Sequence, residues 1–333
     1  MLAPMPDAPP DARALRPASQ IERLRQRAGG AAVELALRGL AATARAHPRA
    51  RAAFRSVAVE RDVPYRPTGL AAHRLDVYRP RGARRGLPVL LHIHGGGFRI
   101  LSKDTHWLMG LGFARAGMLV FNVNYRLAPE HPFPAAVEDV SAAYRWVVEH
   151  AASWGGDPSR LFVAGESAGA NLTTALTCAA SFERPEPFAR AVFETGVVPR
   201  AAMPFCGLLQ ATGTGRFDVP PFVRDRLKVI ERSYLGEAPP PFGTAFADPL
   251  AILESDATPA RPLPPFFAPV GTADPIADDT LRLKAALDRR GVFCEAPLYE
   301  GEPHAFHAFV FRPAARRCWN DAHAFIDRVR NTR

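Results

Sequence analysis

The chain has 333 residues, and 47% of them are hydrophobic, so it can bury a large core around one sheet. Its formal net charge of +9 comes mainly from arginines scattered singly among alanine and proline. Since no nucleic-acid motif accompanies this charge, we expect a generally basic surface and no nucleic-acid partner. We find no signal peptide and no window that approaches the ~20 apolar residues of a membrane span. The sequence therefore predicts a cytoplasmic protein.

The four cysteines are far apart and show neither a metal-binding nor a redox spacing. They are Cys178, Cys206, Cys294 and Cys318. We expect buried free thiols in a reducing compartment, and no metal site.

The first fifty residues differ in composition from the rest of the chain. Residues 1–20 are rich in proline and alanine, and a helical pattern then extends from Ile21 to about His47, with a break or kink at Gly29-Gly30. Pro48 is expected to close this helix. One face of the pattern is apolar, and we expect it to pack on the rest of the molecule. Its members are Val33, Leu37, Leu40, Ala41 and Ala44.

Strands and helices alternate along the remaining chain. Strands are predicted at 55–60, 73–78, 87–93, 118–123, 161–164, 201–209, 266–270 and 292–299. Helices are predicted at 135–150, 168–182, 278–290 and 313–330. Continuous apolar runs such as 87–93 are typical of buried parallel strands. The alternation predicts an α/β protein with a mostly parallel sheet and helices on both faces.

Residues 211–247 do not follow this alternation, since they combine glycine and proline with many aromatic side chains. We expect an insertion over the carboxyl edge of the sheet. Together with residues 1–50 it would form a cap above a site at that edge. The predicted organisation is therefore an N-terminal cap segment (1–50) and a catalytic domain (51–333) that carries the insertion.

The stretch Gly165-Glu166-Ser167-Ala168-Gly169 lies between a predicted strand and a predicted helix. A Gly-x-Ser-x-Gly in this setting is typical of a nucleophile elbow, a sharp turn that exposes the serine hydroxyl. The glycines allow the turn because a Cβ atom beside the serine would clash. Ser167 is therefore the candidate nucleophile.

A serine hydroxyl needs a histidine to take its proton and a carboxylate to orient that histidine. Asp274 and His304 follow Ser167 in the chain order Ser, acid, His, and each lies just past a predicted strand, where open α/β sheets bind ligands. Asp278 and Asp279 are rivals, but they lie where a helix begins, and we expect them to cap it. His307 is a second rival, expected to be a structural histidine among phenylalanines.

The loop His94-Gly95-Gly96-Gly97 follows the buried strand that ends at Ile93. A glycine turn is the simpler interpretation of this loop. However, three glycines also leave backbone N–H groups accessible to a substrate carbonyl. Together with the N–H of Ala168, such a loop forms the oxyanion hole of lipases and esterases.

With these motifs, residues 70 to 330 resemble the hormone-sensitive-lipase family of bacterial α/β-hydrolase esterases (bacterial family IV). The resemblance rests on His94–Phe98, Asn124–Glu130, Gly165–Gly169, Asp274–Asp278 and His304–Phe306. It implies an α/β-hydrolase fold with eight strands and a two-part helical cap. It also implies a catalytic triad of Ser167, His304 and Asp274. The implied oxyanion donors are Gly96, Gly97 and Ala168, with Gly95 setting the loop.

The sequence departs from the family pattern at three positions near these motifs. The family more often has Asp or Thr in place of Glu166, and glycine in place of Ala170 and Ala305. We expect Glu166 to hold the elbow through hydrogen bonds and to have no catalytic role. Arg126 and Glu130 are expected to form a structural ion pair beneath the site.

The resulting expectation is a carboxylic ester hydrolase that works through an acyl-enzyme, without metal or organic cofactor. By the resemblance, its substrates are short- to medium-chain hydrophobic esters. The alternatives are a ligand-binding protein that kept the fold without chemistry, and an amidase or acyltransferase with the same triad. A homodimer stays open as an oligomeric state.

Overall fold

A mostly parallel, eight-stranded sheet forms the centre of the computed structural model, which describes residues 34–237 and 240–331. The strands are β1 (Val57–Pro64), β2 (Arg74–Pro80), β3 (Leu87–Ile93), β4 (Leu119–Val123), β5 (Gly156–Glu166), β6 (Ala201–Phe205), β7 (Phe266–Phe267), β8 (Val270–Gly271), β9 (Cys294–Glu295) and β10 (Leu298–Tyr299). Their order in this sheet is β1-β2-β4-β3-β5-β6-β7-β9, with β1–β2 and β2–β4 antiparallel and the other pairs parallel. The predicted parallel sheet is confirmed.

The last two predicted strands are each divided in two by a proline. Pro269 separates β7 from β8, and Pro297 separates β9 from β10, because proline has no N–H for the ladder. The ladder nevertheless continues, since Val270 N donates to Pro297 O at 3.1 Å and β8 pairs with β10 in parallel. The carboxyl ends of these strands therefore stay at the same edge of the sheet as those of β3 and β5.

Helices cover both faces of the sheet. They are α1 (34–46), α2 (Pro48–Phe54), α3 (Trp107–Arg115), α4 (Ala135–His150), α5 (Ala168–Ser181), α6 (Pro187–Phe193), α7 (Pro221–Leu235), α8 (Pro249–Glu254), α9 (Ala277–Arg289) and α10 (Pro313–Asn331). Alternate residues of β3 enter opposite cores: Leu91 belongs to the core that also contains residues of α4, α5 and α9, and Leu90 to the core that contains residues of α3 and α10. Within the described ranges, no helix has the length and apolar character needed to cross a membrane.

The N-terminal helix differs from its prediction. Residues 21–33, with the predicted break and Val33, lie outside the described residues. The helix ends at residue 46, just before Pro48, as predicted, and Pro48 then begins the separate helix α2. The predicted apolar face is largely exposed, at 38% for Leu37 and 54% for Leu40. Contact with the core occurs at Ala41, whose carbonyl accepts a hydrogen bond from Trp107 Nε1 at 3.1 Å.

The 211–247 insertion contains a helix, α7, that the glycine and proline content concealed. Tyr234 of α7 stacks on Phe98, with ring centroids 3.6 Å apart, and its carbonyl accepts the N–H of Phe133. A Cβ on Gly97 would lie 2.9 Å from Ile230 Cδ1. The helix therefore packs directly on the glycine loop that follows β3.

The predicted ion pair between Arg126 and Glu130 is wrong. Arg126 binds Asp139 instead, with Nε and Nη2 each 2.8 Å from a carboxylate oxygen, and Glu130 is exposed. Asp139 is fully buried on α4, where Arg66 and His73 also contact it at 2.9 and 3.0 Å. A buried carboxylate requires such partners, whereas Glu130 in the preceding turn is solvated by water.

We expect Asp139→Asn to lower the free energy of unfolding by about 3 kcal/mol or more, because it removes the buried charge that Arg126, Arg66 and His73 all contact. Glu130→Gln is the matched control and should change it by less than about 0.5 kcal/mol. Equilibrium urea denaturation measures both. Equal effects of the two substitutions would contradict the assignment of Asp139 as the partner of Arg126.

Candidate active site

Ser167 lies in a strained turn between β5 and α5. Its φ of 54° and ψ of −117° are unfavourable for a residue with a Cβ atom. The turn is forced by close packing, since a Cβ on Gly165 would lie 2.4 Å from Gly169 O, and one on Gly169 would lie 2.1 Å from Ile93 O. The N–H of Ser167 donates to Phe205 O at 3.0 Å. The predicted sharp elbow is therefore present at Ser167.

Asp274 and His304 lie just past β8 and β10, and the fold brings them together. His304 Nδ1 donates to Asp274 Oδ2 at 2.8 Å, and Ile276 N donates to Asp274 Oδ1 at 3.0 Å. Asp274 is buried, and the His304 side chain is 33% exposed. Burial alone would lower the pKa of His304, but the hydrogen bond and charge of Asp274 raise it above its ordinary value of 6.5.

Neither aspartate expected to cap α9 occupies the capping position. Ile276 is the N-cap residue, and Asp278 lies exposed in the first turn. Asp279 is buried, accepts hydrogen bonds from the N–H groups of Leu209 and Gln210, and pairs with Arg216 at 2.8 Å. The capping prediction is thus wrong for Asp279, which ties α9 to the loop after β6.

The glycine loop after β3 is held in a conformation that requires glycine. Gly96 has a φ of +113°, and a Cβ there would lie 2.0 Å from Ile100 O. Within the described residues, neither the Gly96 nor the Gly97 N–H donates a hydrogen bond to the protein. Ala168 begins α5, where the first N–H groups of a helix have no intrahelical acceptor. These three groups can therefore donate to a ligand oxygen.

His94 supports this loop as a neutral residue. Burial, and then the charge of His106, lower the pKa of His94 to about 3. Its ring stacks on Tyr125 with centroids 4.3 Å apart, and its Nδ1 donates to Gly95 O at 2.7 Å. The Tyr125 hydroxyl donates to His94 O at 2.9 Å. The loop is thus anchored on the strand side by neutral hydrogen bonds.

Glu166 holds the elbow through hydrogen bonds, as predicted, but neither of its partners was predicted. His307 Nε2 lies 2.8 Å from Glu166 Oε2, and the ring is buried 5.0 Å from the Phe205 ring, which confirms a satisfied structural histidine. His106 Nε2 lies 2.7 Å from Glu166 Oε1. No sequence signal indicates this role, because His106 and Glu166 are 60 residues apart and meet only in the tertiary structure.

Three side chains near the elbow lie close together but are poorly suited to hold a metal ion. Donor atoms of Cys206, Asp274 and His304 all lie within 4.8 Å of one another. The aspartate and the histidine already bind each other, and burial, followed by the charge of Asp274, raises the pKa of the Cys206 thiol, so the thiol is protonated. All four cysteines are buried free thiols, as predicted.

Comparisons with known proteins agree with this architecture. Residues 90–308 match a family described as an alpha/beta hydrolase fold. Carboxylesterase NlhH from Mycobacterium tuberculosis is 35% identical over 252 residues, covering 75% of each chain. The structure of esterase LipW from Mycobacterium marinum matches with a TM-score of 0.71 at 27% identity, covering 94% of this chain and 92% of that one. An esterase from the bacterial hormone-sensitive lipase family matches with a TM-score of 0.64 at 29% identity, covering 81% and 84%.

We expect Asp274→Asn to lower the pKa of His304, because the substitution removes the raising charge and leaves the opposing burial in place. NMR titration of the imidazole Cε1–H resonance measures this value. Asp278→Asn is the control, since Asp278 is exposed and should leave the titration unchanged. A His304 pKa that does not change in Asp274→Asn would contradict the pairing.

Proposed function

Because this chain belongs to the hormone-sensitive-lipase family of α/β-hydrolase carboxylesterases, we propose that Ser167, His304 and Asp274 form its catalytic triad. The observation that carries the proposal is the 2.8 Å bond from His304 Nδ1 to the buried carboxylate of Asp274. This bond places a proton on Nδ1 and leaves Nε2 able to act as a base.

In the proposed mechanism, Ser167 Oγ attacks the ester carbonyl carbon while His304 Nε2 takes the hydroxyl proton. His304 then donates that proton to the departing alcohol, which leaves an acyl group on Ser167. Water then attacks the acyl carbon while His304 Nε2 takes a proton from it, the bond from the acyl carbon to Ser167 Oγ breaks, and His304 returns the proton to Oγ as the carboxylic acid is released. Asp274 stabilises the imidazolium that forms at each step.

The N–H groups of Gly96, Gly97 and Ala168 are the proposed donors to the oxyanion, and Gly95 sets the conformation of their loop. Support comes from the absence of protein acceptors for these N–H groups among the described residues. Donors that already point at the developing charge need no reorganisation during the reaction. Removing one such donor costs about 10²- to 10³-fold in kcat in a comparable hydrolase.

We further propose that residues 1–50 and 211–247 form a two-part cap that favours short- to medium-chain hydrophobic esters. Support comes from α7, whose Ile230 and Tyr234 contact Gly97 and Phe98. An apolar helix face beside the oxyanion loop favours apolar groups near the reacting carbon.

The proposed partner is a small ester, with no metal or organic cofactor in the mechanism. A cytoplasmic location, the absence of a nucleic-acid partner and a homodimeric assembly remain predictions. Transfer of the acyl group to an alcohol, or cleavage of an amide, would use the same triad.

We expect Ser167→Ala to reduce kcat for p-nitrophenyl butyrate by about 10³-fold or more, since the acyl-enzyme can no longer form. Release of p-nitrophenolate measures the rate, and a fluorophosphonate probe should label wild type but not the variant. Ser181→Ala, in buried α5 but at the other end of that helix, is the control and should remain active. Wild-type rates in Ser167→Ala would refute the triad.

We expect Ile230→Ala to raise kcat/KM for octanoate relative to acetate esters, because it removes the side chain that contacts Gly97. One lost contact of this size changes such a ratio by about 10-fold or more. Val229→Ala on the same helix is the control. A chain-length series of p-nitrophenyl esters gives the ratio, and an unchanged ratio would exclude Ile230 from the substrate site.

A further inference from the structure

A buried carboxylate lies between two imidazole rings next to the proposed nucleophile. Glu166 is the last residue of β5, and its side chain is 10% exposed. Its Oε1 contacts His106 Nε2 at 2.7 Å, and its Oε2 contacts His307 Nε2 at 2.8 Å. His106 precedes α3, and His307 belongs to the loop of His304. The carboxylate therefore connects three segments that meet at Ser167.

Hydrogen-bond accounting gives His106 a proton on both ring nitrogens. Its Nδ1 lies 3.1 Å from Ser102 O, a carbonyl that can only accept, and 3.0 Å from the Thr105 hydroxyl. Since that hydroxyl donates its one proton to the same carbonyl at 2.7 Å, Nδ1 carries the proton of its own bond to Ser102 O. Its Nε2 faces a carboxylate and also donates. Gly95 N also lies near Nε2, but at 3.3 Å this contact is longer than the 2.7 Å contact with Glu166 Oε1. Nε2 therefore donates its proton to the carboxylate and does not accept from Gly95 N. His106 is thus an imidazolium paired with Glu166.

The charges of this pair are consistent with the hydrogen bonds. Burial alone would raise the pKa of Glu166, but the charge of His106 and the bonds from both histidines hold it well below its ordinary range. Burial would lower the pKa of His106, and the charge of Glu166 raises it instead. Glu166 is therefore ionised across the pH range in which esterases are assayed.

The oxyanion loop rests on this carboxylate. A Cβ on Gly95 would lie 2.9 Å from Glu166 O and 3.1 Å from Glu166 Oε1, so the loop backbone and the Glu166 side chain are in direct contact. Displacement of the Glu166 side chain would leave a gap under Gly95. Because Gly95 immediately precedes the donors Gly96 and Gly97, their position depends on where Glu166 lies.

The carboxylate also acts on the proposed base. His304 is faced by Asp274 from the loop after β8, by the neutral thiol of Cys206 from the loop after β6, and by the charge of Glu166 from β5. Burial lowers the pKa of His304, and both Asp274 and Glu166 raise it. Glu166 itself is faced by His106 and His307.

We propose that Glu166 is a positioning residue of the esterase: held between His106 and His307, it sets the positions of the oxyanion loop and the His304 loop relative to Ser167. The inference rests on the proposed triad. It assigns Glu166 no contact with substrate and no proton transfer, so its removal should slow the reaction without abolishing it.

The test compares Glu166→Gln with Glu302→Gln. Both residues are glutamates with side chains 10% exposed, and Glu302, paired with Arg312 at 2.9 Å, lies two residues from His304. Glu166→Gln should lower kcat for p-nitrophenyl butyrate by about 10- to 100-fold and change KM by less than about 3-fold. It should also move the acid limb of kcat/KM to lower pH, because losing a negative charge lowers the pKa of His304. Glu302→Gln should leave the limb in place.

Two further variants separate position from charge, and they keep the test decisive if Glu166→Gln fails to fold. Glu166→Asp keeps the charge but shortens the reach, so the limb should stay at the wild-type pH while kcat is partly restored. His307→Asn keeps the charge of Glu166 and removes one clamp, so kcat should fall with the limb unchanged. A limb that shifts equally in Glu302→Gln, or unchanged kcat in both Glu166→Gln and His307→Asn, would overturn the proposal.

The protonation of His106 has its own readout. Nitrogen-15 NMR of the imidazoles at pH 7 should show two protonated nitrogens for His106, and the signals are assigned by their loss in His106→Asn. A single protonated nitrogen would overturn the imidazolium assignment.

Ser167→Ala distinguishes failure of the proposed triad from failure of the positioning role of Glu166. If Ser167→Ala hydrolyses esters normally, the triad fails. If it is inactive while Glu166→Gln matches wild type, the positioning role alone fails.

Discussion

The site depends on one close contact, where the start of α5 packs against the end of β3. A Cβ on Gly169 would lie 2.1 Å from Ile93 O, so the helix approaches the strand as closely as a glycine backbone allows. Ile93 is also in register with Gly165 across the β3–β5 ladder. As a result, the chain leaves β3 for the glycine loop beside the point where it leaves β5 for Ser167. The proposed nucleophile and the proposed oxyanion donors are neighbours because of this register.

The remaining residues reach the site through the order of the parallel strands. Glu166 pairs with Phe205 of β6, so Cys206 follows at the same edge, and β8 and β10 deliver Asp274 and His304 just beyond it. In a parallel sheet all these carboxyl ends lie on one side, which is why residues far apart in sequence converge. The glycine loop, Ser167, Asp274 and His304 are far apart in the chain, and the order of the parallel strands brings them to one edge of the sheet.

The features that could be predicted from sequence are those that a local pattern determines. The glycines at 165 and 169 indicate a turn, apolar runs indicate strands, and the ends of the last strands indicate the positions of Asp274 and His304. The partner of Arg126 could not be predicted in this way, since Glu130 and Asp139 are both within reach along the chain and only the packing of α4 buries one of them. Similarly, His106 gains its role from a tertiary contact with Glu166 that no spacing encodes.

The strained backbone and the buried charges at the site are stabilised by the surrounding tertiary structure, and not by the conformational preferences of the residues themselves. Ser167 and Ala305 both have positive φ values, 54° and 56°, which cost roughly 1–2 kcal/mol per residue with a Cβ. This explains why glycine would be the easier residue at 305. Ser167 follows Glu166, which binds His106, and Ala305 follows His304, which binds Asp274. Each of these buried carboxylates raises the pKa of the histidine that it binds. In the proposed mechanism His304 becomes an imidazolium as Ser167 attacks, so the two carboxylates that hold these loops in place would also stabilise the charge that forms.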